Sequence, residues 1–401
     1  MGMRGGETGD GSGLVTPGPE QTGVAAPDLM TPGVASPGLV TRCLDVHDLT
    51  SVIESVGLGR FVDELIDALR DGFTAYRDTE VAHLARDGFS YRNPQMGLVE
   101  WMPAMTVGDL VAIKTVAYHP ENPAGCGLPS VLATTSVYDT ATGRLVAVCE
   151  ATMLTALRTG AASAVMTDAL TPPGPITLGV VGCGAQAVTQ ILAISRVRPI
   201  AALHVADTDS AVAASLADRL PPGTLADGVV PRVVDVADLA AGAEALDVLC
   251  TCTSVEVDHG PVIDLGVAKP SLHINAVGSD FPGKVELPIE YLRGAVVVPD
   301  DRAQCLAEGE SQQLDPAEVG PDMVAVLTDP AHRELVNRRT VFDSTGWSYE
   351  DLIAARLFMR HADRLGLGTE VALQHKPIDP YNPLELLGAE EVVTDASASA
   401  R

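Results

Sequence analysis

In the stretch HINAVGSDFPGKVEL, Asp280 stands between a Gly-Ser turn and a Pro-Gly turn, directly after an apolar strand pattern. A short, rigid loop at the carboxyl end of a strand can aim such a carboxylate at a bound ligand, where it would act as a general acid or base. The blander reading, equally open from these residues alone, is an Asp that caps a turn before Pro-Gly. Lys114 in LVAIKTV and Arg158 in LTALRTGAAS pose the same choice. A Lys in an apolar strand either snorkels to solvent or meets a buried anion. An Arg facing small residues either points outward from its helix or grips a carboxylate with both guanidinium arms. Glu100, between Val99 and Trp101, is ambiguous in the same way.

A second kind of chemistry is written in ITLGVVGCGAQAVTQ, where an apolar strand pattern enters a glycine turn and an apolar helix pattern leaves it. This is the setting of a G-x-G-x-x-A dinucleotide loop. Gly182 allows the tight turn and Gly184 the close approach of a pyrophosphate, with Ala185 and Gln186 opening the helix whose N-terminus receives the anion. A glycine pair alone is a weak signal. The second strand pattern, ALHVAD, strengthens it, because it ends at Asp207, about 25 residues after Gly182 and near the roughly 20-residue spacing of a ribose-binding carboxylate. No Arg directly follows Asp207, and its carboxylate would repel a 2'-phosphate, so NAD is favoured over NADP.

These residues need a scaffold, and the patterns supply one. From about Thr171 to Arg339 strand and helix patterns alternate, which implies a parallel, doubly wound sheet of the Rossmann type. Ligands bind at strand ends in such sheets, so Thr251, Thr253 and the loop after Val277 become candidate cofactor contacts. Before it, two helix patterns after Asp45, with Phe61, Leu65, Ile66 and Leu69 on one face, lead into alternating segments that read as a mixed or antiparallel sheet. TMLTALRTGAASAVMTDAL is a bridging helix, and a helix from Tyr349 to Leu365 returns to the first domain. The fold class is therefore α/β: a doubly wound parallel sheet plus an α+β domain. The expected divisions are a disordered Gly/Pro-rich tail at 1–43, the α+β domain at 44–170 with 343–387 returning to it, the nucleotide domain at 171–342, and a flexible tail at 388–401.

Composition narrows the partners. With 46% hydrophobic and 20% charged residues over 401 positions, the chain has material for two packed cores. A net charge of -27 opposes binding to nucleic acid or an acidic membrane surface, both of which require clustered Lys and Arg. No run of apolar residues is long enough to span a bilayer. Seven scattered cysteines fit reduced thiols in a cytoplasmic protein better than a disulfide framework. No HExxH, GxSxG or Walker pattern occurs, and the His residues show no ligand spacing, so no metal is expected.

The runs LVEWMP, IKTVAYHP, LTALRTGAAS, VVGCGAQA, HINAVGSDFPGKVEL, EGESQQL and VFDSTGWSYED together resemble the ornithine cyclodeaminase/mu-crystallin superfamily, from about Asp45 to Leu387. The resemblance implies a homodimer whose first-domain sheet builds the subunit interface and lines the substrate pocket, with NAD held by GCGAQ and Asp207. It implies that Lys114 and Arg158 bind a substrate carboxylate together with an Arg from ARDGFSYR, where Arg86 and Arg92 both remain open and Arg86 is preferred. Glu100 joins them as a substrate contact. Asp280 matches the catalytic carboxylate, and Lys114 is placed beside it in the catalytic set. Lys284 and Ser344 match positions near the nicotinamide, and Thr159 beside Arg158 is counted with the cofactor contacts. Ser130 stands where the family commonly has a Thr touching the cofactor. The implied reaction takes L-ornithine to L-proline and ammonia through internal hydride transfer, imine formation and cyclisation. The alternatives are a lysine cyclodeaminase, an amino-acid or imine dehydrogenase, and a non-enzymatic binder of cofactor and small ligand.

Overall fold

A computed structural model describes residues 38–384. Residues 1–37 of the expected amino-terminal tail, and the whole of the expected 388–401 tail, lie outside the described residues. The remainder of the amino-terminal stretch departs from expectation, because Gly38–Leu44 is strand β1. Its pairing is non-local, with a strand at the far end of the chain, so no neighbouring pattern announces it. Thr41 and Leu44 are buried there, and the Thr41 hydroxyl donates to Leu145 O at 2.9 Å.

Asp45 caps helix α1 (Val46–Val56) in a reciprocal capping box with Asp48. Helix α2 (Leu58–Ala75) buries Phe61, Val62, Leu65, Ile66, Leu69 and Phe73, a three-and-four spacing that gives one apolar face. Strands β2 (Val81–His83), β3 (Asp87–Tyr91), β4 (Gly97–Thr106) and β5 (Leu110–Tyr118) follow, then the single-turn helix α3 (Asn122–Gly125), β6 (Val131–Asp139) and β7 (Leu145–Glu150). The sheet they form is mixed. β4, β5, β6 and β7 pair antiparallel in sequence, while β1 joins β7 in parallel.

Helix α4 (Thr152–Leu170) leaves this sheet and is buried on nearly every side, as expected of a helix enclosed in a core. It packs on α2 and on the helix Ala185–Val197. The second contact requires Gly160, since a Cβ there would collide with the carbonyl of Thr189.

The second sheet is built from β8 (Ile176–Val181), β9 (Ile200–Ala206), β10 (Arg232–Val233), β11 (Val248–Thr251), β12 (His273–Ala276), β13 (Val296–Pro299) and β14 (Thr340–Asp343). Its order is β10-β9-β8-β11-β12-β14-β13 and every pair is parallel. Helices α5 (Ala185–Val197), α6 (Ser210–Arg219), α7 (Val236–Ala241), α8 (Ile289–Arg293), α9 (Arg302–Glu308) and α10 (Met323–Thr328) supply crossovers and connections. The chain winds outward in both directions from β8 and β11, so their carboxyl ends form the crevice where this topology binds ligands. Finally α11 (Ser348–Leu365) returns across the first sheet, and β15 (Thr369–His375) pairs antiparallel with β1.

Candidate active site

The dinucleotide loop follows from local geometry. Gly182 has φ +87°, and a Cβ there would sit 2.7 Å from Cys252 O, so both the backbone conformation and the close approach of β11 favour glycine. Cys183 N donates to Asp207 Oδ2 at 2.6 Å, and Asp209 N donates to Oδ1 at 2.8 Å, which fastens the loop to the end of β9. Arg219 donates to Cys183 O at 2.7 Å from the other side. Gly184 caps α5 without any side-chain hydrogen bond, and nothing lies within 4 Å of where its Cβ would be. With Gly184 and Ala185 exposed and Gln186 half-buried, the helix presents free N–H groups to an open surface. These residues fit the pyrophosphate and ribose of a dinucleotide. The Cys183 thiol is buried, and burial with the nearby Asp207 pushes its pKa up to about 11, so it fills space as a neutral thiol.

The neighbouring strand ends depart in part from expectation. Thr251 is fully buried and its hydroxyl donates to Glu286 Oε2 at 2.6 Å, so its side chain braces the interior and does not face the crevice. Glu286 is the reason: this carboxylate is itself fully buried and draws donors from every side. Thr253 N and Oγ1 both reach Glu286 Oε1 at 2.7 Å, and Gly278 N reaches Oε2 at 2.8 Å. Thr253 remains half-buried at the rim, and Val277 lies beside it with its N–H bonded to Thr251 O. Ser344, at the end of β14, is buried with a hydroxyl that has no hydrogen-bond partner. Thr159 turns its hydroxyl back onto Thr155 O at 2.9 Å within α4. Ser130 is half-buried, just before β6, and its carbonyl accepts from His119 N.

Three cations converge from three elements. Lys114 on β5 and Arg158 on α4 are both nearly inaccessible, and both meet Asp351 in the first turn of α11. Lys114 Nζ lies 2.9 Å from Asp351 Oδ1 and 2.8 Å from Oδ2, while Arg158 Nε lies 3.1 Å from Oδ1. Arg158 Nη1 also donates to Glu350 Oε2 at 2.7 Å. Gly346 makes this possible, since a Cβ there would fall 2.8 Å from Arg158 Nη2. Arg86, between β2 and β3, points inward and places Nε 2.8 Å from Glu308 Oε1 and Nη1 3.6 Å from Glu100 Oε2. Its Nη2 donates to the carbonyls of Thr345 and Gly346. Arg92 is exposed, so of the two arginines left open only Arg86 joins the cluster.

Asp280 faces this cluster and is the most open of its carboxylates, with 44% of its side chain exposed. Lys284 Nζ lies 2.6 Å from Asp280 Oδ1 and 5.3 Å from the centre of the Tyr118 ring. Burial opposes charge on Lys284, but Asp280 and Tyr118 outweigh it and raise the pKa. Burial, with Arg158 close by, depresses Lys114 to about 8. Burial likewise raises Glu308 to about 7 and Glu350 to about 8. Glu100 is raised by burial against the pull of Arg86.

Glu308, Glu350, Asp351 and Glu286 are absent from the sequence-derived set. Glu350 and Asp351 begin a long helix, where acidic residues ordinarily complement the helix dipole, and that ordinary role hides their pairing with Arg158 and Lys114. All seven cysteines are free. Among the described residues no group of His, Cys, Asp and Glu is arranged to hold a metal, and no helix is long and apolar enough to cross a membrane.

Residues 46–364 match the family model described as the ornithine cyclodeaminase/mu-crystallin family. An L-lysine cyclodeaminase of Streptomyces rapamycinicus is 37% identical over 351 residues, covering 86% of this chain and 99% of the relative. A solved lysine cyclodeaminase, studied for its recognition of L-lysine, L-ornithine and L-2,4-diaminobutyric acid, is 40% identical with a TM-score of 0.82, covering 87% of this chain and all of the other. An archaeal alanine dehydrogenase dimer with bound NAD gives a TM-score of 0.69 at 27% identity, over 84% of this chain and all of the other.

Proposed function

The chain belongs to the ornithine cyclodeaminase/mu-crystallin family, and from that premise we propose that it is an NAD-dependent cyclodeaminase of a diamino acid, with L-lysine ahead of L-ornithine. The order reverses the expectation drawn from the sequence motifs, and the similarity to L-lysine cyclodeaminases supports the reversal. The two substrates differ by one methylene, worth only about 1–3 kcal/mol of discrimination, so activity on both is expected. The observation that carries the reading is the convergence of Arg86, Lys114 and Arg158, from three separate elements, on one buried cluster that also contains Glu100 and faces Asp280.

NAD would be held by the Gly182–Gln186 loop and Asp207, with Thr253, Val277, Lys284 and Ser344 along the crevice, and would supply hydride-transfer chemistry there. The chain's own residues do the rest. Arg86, Lys114 and Arg158 bind and orient the substrate carboxylate, which competes with Asp351 and Glu308 for their N–H groups. Asp280 takes a proton from the α-ammonium, and Glu100 holds the nitrogen in line. Burial of the cluster excludes bulk water and strengthens each of these interactions.

We also propose a homodimer. The face of β4, β5 and β6 opposite Lys114 carries Trp101, Ile113, Tyr138 and Leu132, an apolar surface suited to a second copy. The test of the activity incubates the protein with a catalytic amount of NAD and either diamino acid. Ammonia and the cyclic imino acid in equal amounts, without NADH accumulation, support it; NADH rising in step with substrate loss assigns a net dehydrogenase instead.

A further inference from the structure

We infer that Glu308 is the distal-amine residue: it receives the side-chain ammonium of the diamino acid and accepts the proton that must leave before that nitrogen can close the ring. The inference rests on the cyclodeaminase reading above.

Arg86, Lys114, Arg158 and Lys284 are each paired with carboxylates drawn from Glu100, Asp280, Glu308, Glu350 and Asp351. A diamino acid brings, beyond the carboxylate and α-ammonium of a monoamino acid, a second ammonium, and one carboxylate must answer it.

Position selects which one. Asp351 and Glu350 on α11 are paired with Lys114 and Arg158, Asp280 is paired with Lys284, and Glu100 is assigned above to the α-nitrogen. Glu308 ends α9, where its side chain meets Arg86 on one side while its carbonyl lies 3.5 Å from Ser279 Oγ, next to Asp280. It thus stands between the carboxylate-binding Arg86 and the loop that carries Asp280. When the substrate carboxylate takes over Arg86, Glu308 loses the cation it is paired with and needs another, which the distal ammonium supplies.

The protonation chemistry agrees. Burial pushes Glu308 up to about 7, Arg86 pulls it down, and Glu100, Asp280 and Asp300 push it up further. A carboxylate with that balance can both bind an ammonium and take its proton near neutral pH. In the step, the N–H bond of the distal ammonium breaks and its proton passes to a Glu308 oxygen. The freed lone pair forms the new C–N bond, while the π pair of the protonated substrate imine moves onto the α-nitrogen, which becomes a neutral amine.

The test compares the full-length protein with Glu308→Gln and Glu308→Asp on L-lysine, L-ornithine and L-norleucine, the last having no distal amine, and follows α-hydride transfer to NAD as well as ring closure. Glu308→Gln is expected to lower kcat/KM for ring closure of both diamino acids by about 100-fold and to remove the acidic limb of the pH profile. The ratio of ring closure on L-lysine to hydride transfer from norleucine should fall by about 100-fold in Glu308→Gln, and Glu308→Asp should restore part of the cyclisation. An equal loss on norleucine and lysine would overturn the inference, since Glu308 would then act only through Arg86. Undiminished cyclisation in Glu308→Gln would also overturn it. Absence of cyclisation in the unaltered protein would instead remove the reading on which the inference rests. Thermal melting of each variant separates loss of function from loss of fold.

Discussion

Asp351 holds Lys114 at 2.9 and 2.8 Å from its two carboxylate oxygens and, through the first of them, Arg158 at 3.1 Å. One carboxylate on a returning helix thereby fixes two cations that come from a strand and from the central helix. Asp351→Ala would leave two buried charges short of a partner and is expected to destabilise the fold by about 3–5 kcal/mol, because removing one member of a buried pair exposes the full cost of the other. Urea unfolding measures this, and a loss below about 1 kcal/mol would mean that water or Glu350 replaces Asp351.

The Lys114 ammonium sits at about 8 in the folded chain, against 10.5 for an ordinary lysine. The unfolded chain therefore binds more protons than the folded one between those values, so this group makes stability rise with pH across that window. Its effect on binding has the opposite sense: above about pH 8 the proposed carboxylate clamp loses a charge, and KM for the amino acid should climb. Lys114→Arg keeps the charge and should flatten that rise in a KM–pH series; an unchanged series would place the titration elsewhere.

The glycine turn between β8 and α5 was legible because its geometry is local. A glycine turn, a helix start and a carboxylate one strand later all lie within a short stretch, and Gly182, Gly184 and Asp207 occupy the positions that their spacing implies. The doubly wound sheet was legible for the same reason, through alternating strand and helix patterns. What the sequence concealed depends on distant partners. β1 is a strand because β7 and β15 flank it, Thr251 turns inward because a buried Glu286 needs donors, and Asp351 matters because α11 returns beneath Lys114. Arg86 and Arg92 differ little in sequence, and only the fold turns one inward and leaves the other exposed.

Gly182→Ala should be felt strongly. The residue has φ +87°, and the added methyl would approach Cys252 O to 2.7 Å, so the loop must shift between β8 and β11. A strain of about 1–3 kcal/mol, placed in the loop proposed to meet the pyrophosphate, corresponds to roughly 5- to 150-fold weaker NAD binding. Calorimetric titration with NAD measures it, and unchanged affinity would locate the dinucleotide somewhere other than this loop.

The central claim is that the hydride removed from the α-carbon returns to the same molecule after ring closure, and L-lysine deuterated at that carbon tests it most directly. The expected product is the cyclic imino acid with deuterium retained at its α-carbon, released together with one ammonia. Loss of the label into the free cofactor pool, or product formed only when NADH is added, would contradict the claim and make the protein a dehydrogenase or an imine reductase.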